Sequence, residues 1–109
     1  MKGIGIDIVG VSGLSDKVAN KILSKKEMVE FNSYLKTNRK RAMEFLAGRL
    51  ASKEAYLKAV GVGSYEGVPL PDLSIYKDEN GVPKFKGMDN VRVTVSHDNG
   101  VAVAFVVIE

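Results

Sequence analysis

The chain contains no cysteine. That excludes disulfides, thiolate nucleophiles and cysteine-ligated zinc. No apolar run approaches the roughly 20 residues of a membrane-spanning helix. The N-terminal stretch "MKGIGIDIVGVSG" is apolar but broken by Asp7, and it lacks the apolar core and cleavage pattern of a signal peptide. There is no internal repeat, low-complexity segment or linker. These absences predict a soluble cytoplasmic protein with no membrane partner.

What is present is ordinary in bulk. Of 109 residues, 45% are apolar and 27% charged, which suits one globular domain over 1–109. The net charge of +3 and pI of about 9.2 favour an anionic partner. Nucleic acid, a phosphate-bearing cofactor and an acidic protein all satisfy that balance.

"GIGIDIV" alternates as a strand does, with Ile4, Ile6 and Ile8 on one face and Gly3, Gly5 and Asp7 on the other. Leu14, Val18 and Ile22 mark a short helical stretch around "SDKVANKIL". Ser24 and Glu27 make a capping-box pattern for a second helix through "KKEMVEFNSYL". Thr37 or Asn38 caps a long helix that runs to about Val60 and stops at Gly61. "GVGSYEGVPLPD" reads as a loop. Two hairpins follow, one turning at "ENG" and one at "DNG". The order predicts an α+β single domain: an N-terminal strand, short helices and one long helix packed on a mostly antiparallel sheet.

Within "RLASKEAYLKA", the residues Met43, Leu46, Ala47, Leu50 and Leu57 fall on one side of a helical wheel. Glu54 falls in the middle of that stripe. It is either an exposed pair with Lys58 or a metal ligand with room made by Ala47 and Ala51. Asp7, beside Gly3 and Gly5, is either a solvated strand residue or a carboxylate facing a cleared cleft. Two carboxylates from separate elements are what magnesium needs when phosphates and water complete its shell. Arg49, Lys53 and Lys58 stand near Glu54 in sequence, and Gly61 and Gly63 offer backbone N–H groups. His97, the sole histidine, shares a face with Val91, Val93 and Val95. Ser96, His97 and Asp98 are sequence neighbours and do not make a catalytic triad.

"GIGIDIV", "FLAGRLASKEAYLKAVGVG", "DENGVPKF" and "VSHD", in that order, resemble the holo-[acyl-carrier-protein] synthases, the short class of 4′-phosphopantetheinyl transferases. The resemblance implies their fold and a magnesium-dependent transfer of phosphopantetheine from coenzyme A to a serine of acyl carrier protein, in support of fatty acid biosynthesis. It implies Asp7 and Glu54 as catalytic metal ligands. It implies a coenzyme A pocket lined by Arg49, Lys53, Lys58, Gly61, Gly63 and His97, with the turn Asn80, Gly81 and Pro83 near the adenine. It implies a homotrimer with sites between subunits. Phe45 and Tyr56, opposite the stripe, suggest a second face to bury.

Two residues depart from the family pattern. Gly13 stands where relatives carry an arginine that grips carrier protein, and Leu57 stands where a small polar residue is usual. Lys17, Lys21, Lys25 and Lys26 are then the expected carrier-binding surface. The competing reading is a basic nucleic-acid module built on "NRKR", Asn38–Arg41, but no aromatics interleave with that run. A third is a catalytically weak homologue serving a different carrier.

Overall fold

The computed structural model describes residues 1–61 and 68–109. Strand β1 (Gly3–Gly10) is followed by two 3-10 turns (Val11–Gly13 and Asp16–Val18), then α1 (Ala19–Ile22), α2 (Lys25–Thr37) and α3 (Arg39–Val60). After a 3-10 turn at Leu70–Asp72 come β2 (Ile75–Lys77), β3 (Pro83–Phe85), β4 (Val91–Asp98) and β5 (Val101–Ile108). The expected α+β architecture is present. One antiparallel sheet has the order β1-β5-β4, and β2 pairs with β3 in a second.

Local signals set the element boundaries. Ser24 Oγ accepts from the Glu27 amide and the Glu27 carboxylate accepts from the Ser24 amide, so the capping box forms in full. Asn38 caps α3 by accepting from the Arg41 amide at 3.1 Å. Gly61 ends that helix at φ 124°, a value that favours glycine. Asn99 and Gly100, both at positive φ, make the two-residue turn between β4 and β5. In the first hairpin, Asp78 Oδ1 accepts from the amides of Asn80 and Val82 at 2.9 and 3.0 Å. Those N–H groups hold the Asp78 carboxyl below its usual range.

Helix α3 lies across one face of the larger sheet. The sheet face beneath it is stripped: a Cβ on Gly5 would overlap the carbonyl oxygen of Ala55, and one on Gly3 that of Ala59. Glycine on the strand and Ala51, Ala55 and Ala59 on the helix therefore let the two backbones approach closely. The isoleucines of β1 point the other way, with Ile4, Ile6 and Ile8 at 53%, 58% and 66% exposure. Register sets them opposite Val107, Phe105 and Val103 of β5, giving one apolar face on the side of the sheet away from α3.

The predicted stripe on α3 needs correction. The helix is buried on several sides, against the sheet, α1 and α2, and its buried set includes Arg49, Ser52 and Lys53. Met43 and Leu46 belong to a core with α1 and α2, while Leu57 joins Leu73, Ile75 and Phe85. The alanines, not the leucines, face β1. Phe45 and Tyr56 are also not a spare face. Phe45 is buried in an edge contact with Tyr34, and Tyr56 packs on Phe85 with ring centres 5.2 Å apart. The unpartnered apolar surface is the β1–β5 face instead.

Candidate active site

Asp7 and Glu54 come together where β1 passes the C-terminal half of α3. Lys58, one helical turn after Glu54, donates from Nζ to Asp7 Oδ1 at 2.9 Å and to the Ile6 carbonyl at 3.1 Å. Asp7 is largely covered while Lys58 is half exposed. The Glu54 carboxyl is pushed up by partial burial and by the negative charge of Asp7, with Lys58 pulling it back. Among the described residues two carboxylates share this edge, and the Lys58 ammonium pairs with Asp7. Among the described residues no group of three or more metal-ligating side chains occurs.

Arg49 and Lys53 do not join this cluster. Five residues separate each from Glu54 or Lys58 respectively, which is roughly 140° around an α-helix. Both turn toward α2, where they meet one carboxylate. Lys53 Nζ donates to Glu27 Oε1 at 2.6 Å and to the Ile22 carbonyl at 2.7 Å, and Lys53 is fully buried. Lys53 is therefore a core residue in this chain, not a lining residue of the pocket. Arg49 Nε lies 3.1 Å from Glu27 Oε2, an ion pair rather than an aligned hydrogen bond. Burial lowers both cations' pKa values from their ordinary ones, and Glu27 opposes that shift.

A cleft of about 400 Å³ opens on the Arg49 side of α3. Arg49 and Gly48 form its helical wall, His97 and Thr94 its β4 wall, and Gly81 and Pro83 of the first hairpin its rim. His97 Nε2 is 3.1 Å from the Glu44 carbonyl, so that nitrogen carries the proton and donates. A Cβ at Gly48 would stand 2.9 Å from the same nitrogen, so the absent side chain is what admits the imidazole. His97 is exposed rather than buried in a core.

The expected site is thus divided in two. Asp7 lies on β1 and His97 on β4, with β5 between them, and the two reach α3 from opposite sheet edges. Two strand spacings of about 4.8 Å and a register offset of two residues put their backbones roughly 12 Å apart. Gly61 sits at the end of α3, and Gly63 lies outside the described residues. Leu57 is buried in the core and faces neither half. Lys17, Lys21, Lys25 and Lys26 are all exposed, on the second 3-10 turn, α1 and the first turn of α2. In the "NRKR" run, Arg39 pairs with Asp16 at 3.2 Å and Arg41 stacks over Tyr34 at 4.7 Å, so part of that basic cluster is already engaged.

Sequence reasoning missed Glu27 beyond its capping role, and Gly48. A signal for the first existed: Arg49 and Lys53 are spaced i, i+4 on one flank and call for a shared acid. Gly48 in mid-helix was the signal for the second, since glycine there costs about 1 kcal/mol relative to alanine unless something needs the space.

A family model for the 4′-phosphopantetheinyl transferase superfamily matches residues 3–106. The chain is 38% identical to the holo-[acyl-carrier-protein] synthase of Staphylococcus aureus, over 98% of this chain and 94% of that one. Among solved structures, the Bacillus anthracis synthase in complex with CoA (3′,5′-ADP) superposes with TM-score 0.81 at 36% identity, covering 98% of this chain and 95% of that one. The Neisseria meningitidis synthase does so with TM-score 0.81 at 30% identity, covering 100% and 98%. No described helix is long and apolar enough to cross a membrane. The chain belongs to the 4′-phosphopantetheinyl transferase superfamily, in its holo-[acyl-carrier-protein] synthase family, and is an enzyme of that family.

Proposed function

We propose that the protein transfers 4′-phosphopantetheine from coenzyme A to a serine hydroxyl of an apo acyl carrier protein, as one transferase domain over 1–109, in the cytoplasm, supporting fatty acid biosynthesis. The observation that carries this reading is the meeting of Asp7, Glu54 and Lys58 at one edge in a chain of this family. In the reaction the serine oxygen bonds to the phosphorus that bears pantetheine. The bond from that phosphorus to the bridging diphosphate oxygen breaks. Adenosine 3′,5′-bisphosphate leaves, and the serine proton passes to a base.

Asp7 and Glu54 fit a magnesium ion. They are two hard oxygen donors whose mutual repulsion raises Glu54, and phosphate and water oxygens are left to complete six ligands. When bound, such an ion supplies positive charge against the charge developing on the phosphates. Lys58 adds a fixed ammonium beside Asp7 and draws phosphate oxygens toward the same edge. Arg49 and His97 wall the cleft that takes the adenosine bisphosphate half, with Asn80, Gly81 and Pro83 at the adenine.

One subunit presents these two halves on opposite flanks of α3. A single coenzyme A spans both only if a neighbour supplies one of them, which favours a homotrimer with sites between subunits. The apolar face of Ile4, Ile6, Ile8 and Phe105 is the surface such a neighbour would cover. The carrier docks by charge on Lys17, Lys21, Lys25 and Lys26. The test is release of adenosine 3′,5′-bisphosphate. It is expected only when coenzyme A, apo carrier and magnesium are all present, and release without carrier would contradict the assignment.

A further inference from the structure

Glu27 opens α2 with a carboxylate that is 2% exposed. Oε1 accepts from the Ser24 amide at 2.8 Å and from Lys53 Nζ at 2.6 Å. Oε2 accepts from the Ile75 amide at 3.2 Å and faces Arg49 Nε at 3.1 Å. The N-terminus of α2, the flank of α3 and the start of β2 therefore converge on one anion. Such a group is more than a helix cap, since the cap uses only the Ser24 contact.

Arg49 is the member of this network that reaches the cleft. It is 5% exposed, and its guanidinium lies 4.6 Å over the Phe45 ring. Its Nη2 is buried and has no hydrogen-bond partner among the described residues. A buried guanidinium N–H without an acceptor is unfavourable, and an anion in the cleft would satisfy it. Glu27 pairs with the Nε side, and among the described residues no acceptor meets Nη2.

We propose that Glu27 is a positioning residue for the coenzyme A cleft. It orients Arg49 so that an N–H group without an acceptor among the described residues meets an anionic group of the ligand. The proposal rests on the coenzyme A reading above.

The test is a double-mutant cycle on the full protein, read as the dissociation constant for coenzyme A by calorimetry with no carrier present. Glu27→Gln keeps an acceptor for the Ser24 amide but removes the charge that faces Arg49. It is expected to weaken binding about tenfold, or about 1.4 kcal/mol. In an Arg49→Gln background the same change should add less than about twofold, because its route to the ligand is gone. A structural role alone would weaken both backgrounds equally, and that result overturns the proposal, as does wild-type affinity in Glu27→Gln.

If thermal melting shows that Glu27→Gln does not fold, Glu27→Met with Lys53→Met replaces it. That pair removes the carboxylate together with the ammonium that would be stranded beside it. Weaker coenzyme A binding by the folded double variant that disappears in an Arg49→Gln background supports the proposal, and wild-type binding or equal weakening in both backgrounds overturns it. Wild-type protein that binds coenzyme A but does not modify a carrier contradicts the proposed reaction and leaves the Glu27 result standing. Wild-type protein that does not bind coenzyme A overturns both.

Discussion

Lys58 crosses from α3 to β1 and places its ammonium 2.9 Å from Asp7 Oδ1, while Glu54, one turn earlier, stays near enough for Asp7 to raise its pKa. Among the described residues one cation stands beside two carboxylates, an edge suited to a divalent cation. Asp7→Asn and Glu54→Gln should each lower transfer by at least about a hundredfold, or roughly 2.7 kcal/mol of barrier. Both variants should fold. Magnesium should raise the melting temperature of the wild type and not of either variant. Turnover near wild type in a folded variant would sink the ligand assignment.

Glu54 also sets a pH dependence. Its folded-state value is raised above the ordinary 4.5 by burial and by Asp7. The folded state therefore binds more protons than the unfolded one within that window, and stability falls as pH rises through it. Below the ordinary value the carboxyl is protonated in both states and the penalty is absent. In chelator, Glu54→Gln should melt higher than wild type at neutral pH, and the difference should vanish in acid. A difference that grows in acid would reverse the sign and contradict this account.

The apolar face of β1 gives a test of assembly. Each isoleucine there is about half exposed, and full burial of such a side chain contributes roughly 1.5–3 kcal/mol. Ile6→Glu should shift the light-scattering mass from trimer to monomer and abolish transfer, since the two halves of the site then part. A monomeric wild type with full activity would contradict both the trimer and the shared site.

The proposed carrier surface on the first helices is tested through its charge. Lys17→Glu with Lys21→Glu should raise the Michaelis constant for carrier and weaken its salt dependence, with coenzyme A binding nearly unchanged. Screening acts over about 8 Å at physiological ionic strength. Gly13 is exposed, with no atom within 4 Å of a built Cβ and no positive φ to forbid a side chain. Gly13→Arg should therefore fold and lower the carrier constant. If both variants match wild type at two salt concentrations, the docking surface is elsewhere and "NRKR" is next to examine.

Local features were legible in the sequence because their causes are local. The Ser24–Glu27 box, the Asn38 cap, the Gly61 stop and both hairpin turns each depend on a few adjacent residues. Asp7 and Glu54 were legible as carboxylates out of place in their patterns. The surroundings of Glu54 were misjudged because sequence nearness is not angular nearness. Arg49 and Lys53 sit beside it in the chain, yet the helix turns them toward Glu27. The stripe failed for a related reason. A wheel separates two faces, but α3 is covered by the sheet on one side and by α1 and α2 on another. The Gly3–Gly5 face was read as a cleared cleft beside Asp7, and the backbone of α3 fills it instead.

The most direct measurement is the intact mass of an apo acyl carrier protein after incubation with this protein, coenzyme A and magnesium. The account predicts a gain of one phosphopantetheinyl group on the carrier. The gain should be absent when the acceptor serine is changed to alanine, when magnesium is chelated, and when Asp7→Asn replaces the wild type. An unmodified carrier with folded, coenzyme A-binding wild-type protein would contradict the central claim.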